Sequence, residues 1–129
     1  MRTQVVAALI WDKENRFMIC QRPANKTRAF QWEFVGGKAE KGETLHEALV
    51  RECREELALQ IEGARIVDSV VHEYPEKTIR LTLIECNPQK GSVPQALEHQ
   101  QIRWVTVDEM KSINFCPADQ ELVLKVFGG

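Results

Sequence analysis

Three glutamates and two arginines crowd the segment 51–56, which reads RECREE. Residues three and four positions apart are neighbours on a helix, so Glu52, Glu55 and Glu56 would share an arc of roughly 100°. Carboxylates this close repel one another unless a cation lies between them. Magnesium prefers such hard oxygen ligands, and a divalent metal can neutralise phosphates and activate water. The segment therefore predicts metal-assisted hydrolysis of a phosphate compound. The alternative is an exposed helix held by ion pairs, with Arg51 bonded to Glu47 or Glu55.

Glycines and a further acid extend this pattern toward the N-terminus. The segment from Gly37 to Leu59 reads GKAEKGETLHEALVRECREELAL. It resembles the Nudix box, G-x5-E-x7-R-E-U-x-E-E-x-G-U, in which U is a bulky apolar residue. The matching positions are Gly37, Glu43, Arg51, Glu52, Glu55 and Glu56. Cys53 stands at one apolar position, and Ala58 replaces the last glycine, which belongs to the helix C-terminus and not to the metal site.

The resemblance covers nearly the whole chain and points to the MutT-like branch, which removes damaged nucleotides from the nucleotide pool. In that branch the box follows the motif E-F-x-G-G-K, here Glu33, Phe34, Gly36, Gly37 and Lys38. The resemblance implies a Mg²⁺ site, with Mn²⁺ as a second possible ion. By position, its ligands would be the carbonyl of Gly36 and the side chains of Glu52, Glu55, Glu56 and Glu98.

Further roles are implied by the same resemblance. Catalytic positions are Arg51, Glu52, Glu55 and Glu98, the last of these as metal ligand or general base. Substrate-binding positions are Arg22, Lys38, Phe34 and Asp119, with Arg22 and Lys38 near phosphate and Asp119 at the base. Each has a plainer alternative: a solvated loop acid at 98, a surface arginine at 22, core packing at 34 and an acid favoured by a helix dipole at 119. Gly36 and Gly37 could also form only a turn.

The substrate class stays open between related nucleotides. The implied reaction is hydrolysis of an NTP or dNTP such as 8-oxo-dGTP to the monophosphate and pyrophosphate. An aspartate at position 119, together with Glu98-His99-Gln100, is also similar to CTP pyrophosphohydrolases, so CTP or 5-methyl-dCTP is the alternative. Ionised aspartate only accepts hydrogen bonds, and both bases offer donors. A non-catalytic nucleotide-sensing module of the same fold is the rival from another class, although such modules usually lose box carboxylates.

Composition narrows the class of protein. The chain has 129 residues, which suggests one domain over residues 1–129. A formal net charge of -2 and a pI near 5.9 argue against a nucleic-acid polymer as partner. The cysteines at 20, 53, 86 and 116 match no zinc spacing. We expect free thiols in a cytoplasmic protein without a membrane segment. A monomer and a homodimer are both compatible with the sequence.

The apolar pattern predicts the elements that would position these residues. We expect strands at 4–11 and 17–21, paired as a hairpin, and further strands at 32–35, 64–74, 78–86 and 101–105. A helix should begin after Thr44, with Glu47 as capping-box partner, and run to about residue 58. A short helix at 107–113 and a final helix at 117–127 complete the order β-β-β-α-β-β-β-α. This order suggests a mixed sheet sandwiched between helices, in the α/β or α+β range, and the resemblance implies the Nudix fold.

Two histidines have open interpretations. His46 lies near the apolar face of the predicted helix and is interpreted as a structural residue. His99 follows Glu98 and is interpreted as an ordinary loop histidine, with a role in positioning Glu98 as the alternative.

Overall fold

Residues 2–128 are described in a computed structural model. The strands are β1 (Thr3–Ile10), β2 (Phe17–Gln21), β3 (Trp32–Glu33), β4 (Gly36–Lys38), β5 (Ile61–Tyr74), β6 (Lys77–Pro88) and β7 (Gln101–Val105). The helices are α1 (Leu45–Leu57) and α2 (Pro117–Phe127), and a 3₁₀ helix spans Asp108–Ser112. No helix in this part of the chain is both long and apolar enough to cross a bilayer.

The strands form two sheets. The first has the order β4-β1-β6-β5, in which β1 runs parallel to β6 and antiparallel to β4. The second has the order β3-β2-β7 and is antiparallel throughout. The mixed sheet and its α+β class are therefore confirmed. A β1–β2 hairpin is wrong, because the two strands lie in different sheets and share only the bridge between Trp11 and Phe17.

The predicted strand 32–35 is also wrong as one element. The chain leaves the three-stranded sheet after Glu33 and joins the four-stranded sheet at Gly36. Phe34 and Val35 make this crossing and are both buried, so apolar character alone could not separate them from a continuous strand. Strand β5 begins at Ile61 rather than at residue 64, and it carries two register shifts in its first half.

The four-stranded sheet lies between the two helices, as predicted. Side chains alternate across a strand, so β1 supplies both faces. Val6, Ala8 and Ile10 belong to the buried cluster that contains residues of α1, namely Ala48, Leu49, Cys53 and Leu57. Ala7 and Leu9 belong to the opposite cluster, which contains Leu122 and Val123 of α2. This arrangement fixes the position of α1 against β1 and β4.

Helix α1 begins as its sequence predicts. The hydroxyl of Thr44 accepts a hydrogen bond from the Glu47 amide at 3.1 Å, and the Glu47 carboxylate accepts one from the Thr44 amide at 2.9 Å. The helix ends at Ala58, which adopts the left-handed conformation with φ 52° and ψ 33°. Its amide donates to the carbonyl of Arg54 at 3.0 Å. A non-glycine residue therefore occupies the position at which the family motif has glycine.

Substitution of Ala58 by glycine should stabilise the fold. The left-handed conformation costs an alanine roughly 1–2 kcal/mol, and glycine avoids this cost. Part of the resulting gain is offset, because glycine has greater freedom in the unfolded chain. The Ala58 side chain is exposed, so no packing is lost. We expect Ala58→Gly to raise the free energy of unfolding in urea by about 0.5–1 kcal/mol. Ala48→Gly, in the buried helix interior, should lower it by about 1 kcal/mol or more. A loss of stability in Ala58→Gly would contradict the prediction.

Candidate active site

Arg51 is the centre of an ion-pair network on α1. Its Nε and Nη2 donate to the two oxygens of Glu43 at 2.7 and 2.9 Å. Its Nη1 donates to Glu52 at 2.9 Å and to Glu55 at 3.3 Å. The pairing of Arg51 with Glu55 is confirmed, whereas pairing with Glu47 is wrong because Glu47 completes the capping box. Hydrogen bonding to Arg51 lowers the pKa of Glu43 to about 2. The same network raises the pKa of Arg51.

Gly36 and Gly37 are strand residues of β4, so the interpretation as a turn alone is wrong. A Cβ atom on Gly36 would lie 1.8 Å from the carbonyl oxygen of Val6 in the paired strand β1. A Cβ atom on Gly37 would lie 2.6 Å from the carboxylate of Glu52. The missing side chains therefore let β4 approach β1 and let the Glu52 carboxylate lie against the strand.

Glu56 is the most perturbed carboxylate of the helix. Burial, with repulsion from Glu52, Glu33 and Glu98, raises its pKa to about 9, although the Gly36 amide donates to it at 3.3 Å. Burial also raises the pKa of Glu52. Burial is the largest cause of both shifts, and repulsion between neighbouring carboxylates adds to it. The donor set fits a divalent cation, because it consists of carboxylate oxygens near the backbone of Gly36 and carries excess negative charge.

Glu98 lies in the exposed loop after β6. The loop is fastened to the C-terminus of α1, since the amides of Gln95 and Leu97 donate to the carbonyls of Leu57 and Glu56 at 2.8 and 3.2 Å. These bonds satisfy carbonyls that a helix end leaves without partners. They also bring Glu98 to the same side of the molecule as Glu56.

A cavity of about 400 Å³ begins beside α1 and runs toward α2. Most of the predicted site residues line it: Arg22, Phe34, Gly36, Lys38, Glu56, Glu98 and Asp119. Arg51, Glu52 and Glu55 are not among the lining residues. Arg51 bonds to both of these glutamates. The structure thus brings seven of the predicted residues to one cavity, with Gly36 and Glu56 at one end and Asp119 at the other.

The inner end of the cavity is acidic and buried. Asp119 is 7% exposed, and one of its oxygens accepts a hydrogen bond from the Phe34 amide at 3.1 Å. Burial and repulsion from Glu33 raise the pKa of Asp119 to about 8. Phe34 is both a core residue and a cavity wall, since its ring packs beside Phe17 and Phe115.

Glu33 is a site residue that sequence reasoning quoted in a motif but did not assign. One oxygen accepts from Arg22 Nη1 at 2.9 Å, and the other bonds to His99 Nε2 at 2.9 Å. Ligand atoms of Glu33, Cys116 and Asp119 lie within 4.8 Å of one another, and among residues 2–128 no other such set of three is found. Among the described residues the acids of α1 form no comparable set; Glu52 and Glu55 bond to Arg51, and Glu56 accepts from the Gly36 amide. An acid in a short strand between Trp32 and Phe34 was the available signal for Glu33.

The remaining residues interpreted from the sequence are Arg22, Lys38, His46 and His99. Arg22 also donates to the carbonyl and hydroxyl of Thr27 at 2.6 and 3.2 Å, so several of its donors are already engaged. Lys38 is exposed at the cavity, and its carbonyl accepts from Arg51 at 3.0 Å. His46 is exposed, so its assignment to the apolar helix face is wrong. The interpretation of His99 as an ordinary loop histidine is also wrong, because it is buried and bonded to Glu33.

Comparison with known proteins agrees with this fold. The NUDIX domain matches residues 1–126, and the chain belongs to the NUDIX family. It is 37% identical to CTP pyrophosphohydrolase of Escherichia coli K12 over 120 residues, which is 93% of this chain and 87% of that protein. It is 28% identical to 8-oxo-dGTP diphosphatase of the same organism over 125 residues, which is 97% of this chain and 96% of that protein. Within its family the chain is a MutT-like Nudix hydrolase acting on phosphoanhydride bonds.

Solved structures support the same assignment. The E. coli ORF135 protein has a TM-score of 0.82 and 35% identity, with 99% of this chain and 90% of that chain covered. The MutT protein of Methanosarcina mazei Go1 has a TM-score of 0.86 at 22% identity, with 97% and 92% covered, and this match concerns the fold alone.

The raised pKa of Asp119 predicts a dependence of stability on pH. The folded state retains this proton up to about pH 8, whereas the unfolded chain releases it near 3.8. The folded state therefore binds more protons between these values, and stability falls as pH rises through this window. Asp119→Asn keeps an acceptor for Phe34 and removes the charge. The gain in free energy of unfolding of Asp119→Asn over the unsubstituted protein should therefore be larger at pH 8 than at pH 4. We expect this increase to be at least about 1.4 kcal/mol, which corresponds to one pKa unit.

The matched control for this prediction is Asp68→Asn. Hydrogen bonding to Lys125 lowers the pKa of the half-buried Asp68, so neutralising it should give no gain at pH 8. Urea denaturation of the three proteins at pH 4, 6 and 8 makes the comparison. A constant difference between Asp119→Asn and the unsubstituted protein at all three pH values would show that Asp119 does not titrate as inferred.

Proposed function

We propose that this chain hydrolyses a nucleoside or deoxynucleoside triphosphate to the monophosphate and pyrophosphate. The observation that carries the proposal is one cavity with Glu56 of the Nudix box and Glu98 at its outer end and a buried hydrogen-bonding group, Asp119, at its inner end. A triphosphate fits beside the first and a base beside the second. The proposed physiological role is removal of modified nucleotides, with 8-oxo-dGTP as the leading substrate.

The proposed cofactor is Mg²⁺, with Mn²⁺ as a second possible ion. Gly36 through its carbonyl and Glu52, Glu55, Glu56 and Glu98 through their carboxylates would hold it. A bound divalent ion neutralises phosphate charge and activates water. Among the protein groups, Arg51 orients Glu52 and Glu55, and Glu98 acts as a metal ligand or as the general base. Arg22 and Lys38 would contact phosphate with the donors that the protein leaves available.

CTP or 5-methyl-dCTP is the second candidate substrate. Glu33 and Asp119 place carboxylate oxygens at the inner end of the cavity, and such oxygens accept hydrogen bonds from an amino group such as that of cytosine. The identity of 37% to a CTP pyrophosphohydrolase favours this candidate as well. A nucleotide-sensing module without catalysis is the rival proposal, and retention of Glu43, Glu52, Glu55 and Glu56 argues against it.

The remaining parts of the proposal concern the setting of this activity. We propose that residues 1–129 work as one domain in the cytoplasm on a small-molecule nucleotide. The net charge of -2 argues against a nucleic-acid polymer as substrate. Both a monomer and a homodimer are compatible with the site, since each residue proposed for it belongs to the same chain.

A panel of nucleotides tests the function directly. Pyrophosphate release should be measured with Mg²⁺ for 8-oxo-dGTP, dGTP, CTP and 5-methyl-dCTP, and kcat/KM compared. We expect turnover of at least one triphosphate, with 8-oxo-dGTP preferred over dGTP. A preference for CTP or 5-methyl-dCTP would select the second candidate. Tight nucleotide binding with no pyrophosphate release from any of the four would support the sensor and reject the enzyme.

Glu55→Gln tests the role of the box acids. The substitution preserves shape and removes one charge, so kcat should fall by roughly 10²-fold or more with folding retained. Glu55 is 55% exposed, and its loss should change the thermal midpoint little. Glu47→Gln is the matched control on the same helix, because glutamine also completes a capping box, and its kcat should be unchanged. A near-native rate in Glu55→Gln would remove Glu55 from the catalytic set.

A further inference from the structure

His99 is a buried residue within an otherwise exposed stretch of chain. Its side chain is 4% exposed, whereas Leu97, Glu98 and Gln100 on either side are exposed. Burial of an imidazole requires hydrogen-bond partners, because an unsatisfied buried polar group costs about 1–3 kcal/mol. The His99 side chain must therefore make a hydrogen bond that the exposed residues beside it do not make.

The imidazole is held through one nitrogen. Nε2 lies 2.9 Å from Glu33, while Nδ1 is buried and has no hydrogen-bond partner among residues 2–128. A carboxylate only accepts, so Nε2 carries the hydrogen and donates it. The bond to Glu33 is thus the only hydrogen bond of this side chain to the described residues. The amides of the neighbouring Leu97 and Gln100 donate to the carbonyls of Glu56 and Gln21.

Glu33 is a fixed partner for this bond. It lies on β3, where it is paired with Cys20 of β2. Its second oxygen accepts from Arg22, so both oxygens are engaged and the carboxylate has a defined orientation. The bond from His99 therefore fastens the Glu98 loop to the three-stranded sheet, in addition to the Leu97 attachment to α1.

We propose that His99 is a positioning residue that holds the neighbouring Glu98 at the cavity by donating a hydrogen bond to Glu33. Glu98 itself is exposed and makes no hydrogen bond through its side chain to other described residues, so its place depends on the residues beside it. The proposal rests on the proposed function in one respect, namely that Glu98 acts on the nucleotide or its metal ion.

Substitutions of His99 test the hydrogen bond separately from the volume of the side chain. His99→Leu removes the donor, and His99→Asn retains a shorter polar side chain that stops short of Glu33. We expect kcat for the best nucleotide of the panel to fall by roughly 10- to 100-fold in both, as for a small displacement of a catalytic group. KM should change by less than about threefold, because phosphate and base contacts remain. His99→Gln places an amide donor near the Nε2 position and should restore most of kcat.

Two further variants separate positioning from a general structural effect. His46→Leu is the matched control at an exposed histidine, and its kcat should equal that of the unsubstituted protein. Glu98→Gln combined with His99→Leu should lose no more activity than Glu98→Gln alone, because a residue that acts only through Glu98 has no effect once Glu98 is neutralised. Additive losses in the double variant would overturn the proposal, as would unchanged kcat in both His99→Leu and His99→Asn.

A measurement of dynamics decides the inference independently of catalysis. The NMR order parameter of the Glu98 amide should be that of a rigid backbone, about 0.85, and fall below about 0.6 in His99→Leu and His99→Asn. His99→Gln should retain the higher value. An order parameter that is unaffected in both loss variants would overturn the proposal even if the unsubstituted protein hydrolysed no nucleotide. Absence of hydrolysis alone would reject only the proposed function.

Discussion

The acidic side of α1 depends on the guanidinium of Arg51. This single cation donates to three carboxylates, those of Glu43, Glu52 and Glu55, and to the carbonyl of Lys38 on β4. It therefore offsets carboxylate repulsion and joins the helix to the neighbouring strand. A lysine could not do both, because a planar guanidinium presents five donors in a fixed geometry. Glu56 lies beyond its reach, and burial beside Glu52 leaves that carboxyl with the raised pKa.

The second constraint is the crossing of the chain between the two sheets. Glu33 is the last residue of β3 and Gly36 the first of β4, so a short buried segment separates the inner acidic end of the cavity from the end beside Glu56. The Phe34 amide in this segment donates to Asp119, and the Gly36 amide donates to Glu56. Each end of the cavity is therefore fixed by the backbone of the same four residues.

Sequence patterns predicted the parts of this molecule that local chemistry decides. The capping box at Thr44, the alternating faces of β1 and the spacing of Glu52, Glu55 and Glu56 follow from helix and strand periodicity. Long-range pairing was less accessible. Strands 1 and 2 resembled a hairpin because the turn between them is short, but the choice of sheet depends on β6, which is far along the chain. The burial of His99 likewise depends on Glu33, 66 positions away, and no local pattern contains that information.

The charge distribution along the cavity separates two tasks of recognition. The box acids repel a triphosphate, and two basic residues of the lining, Arg22 and Arg28, are already bonded to Glu33 and Glu76. In the proposed function, the positive charge that offsets a triphosphate would therefore come from the metal ion and from the lysines of the lining, Lys26, Lys38 and Lys77. The inner end has a different character. Asp119 keeps its proton up to about pH 8, so below that pH it can donate as well as accept a hydrogen bond, whereas the carboxylate of Glu33 only accepts. A base that presents a donor to Glu33 therefore fits this end, whereas a base that presents an acceptor there is repelled.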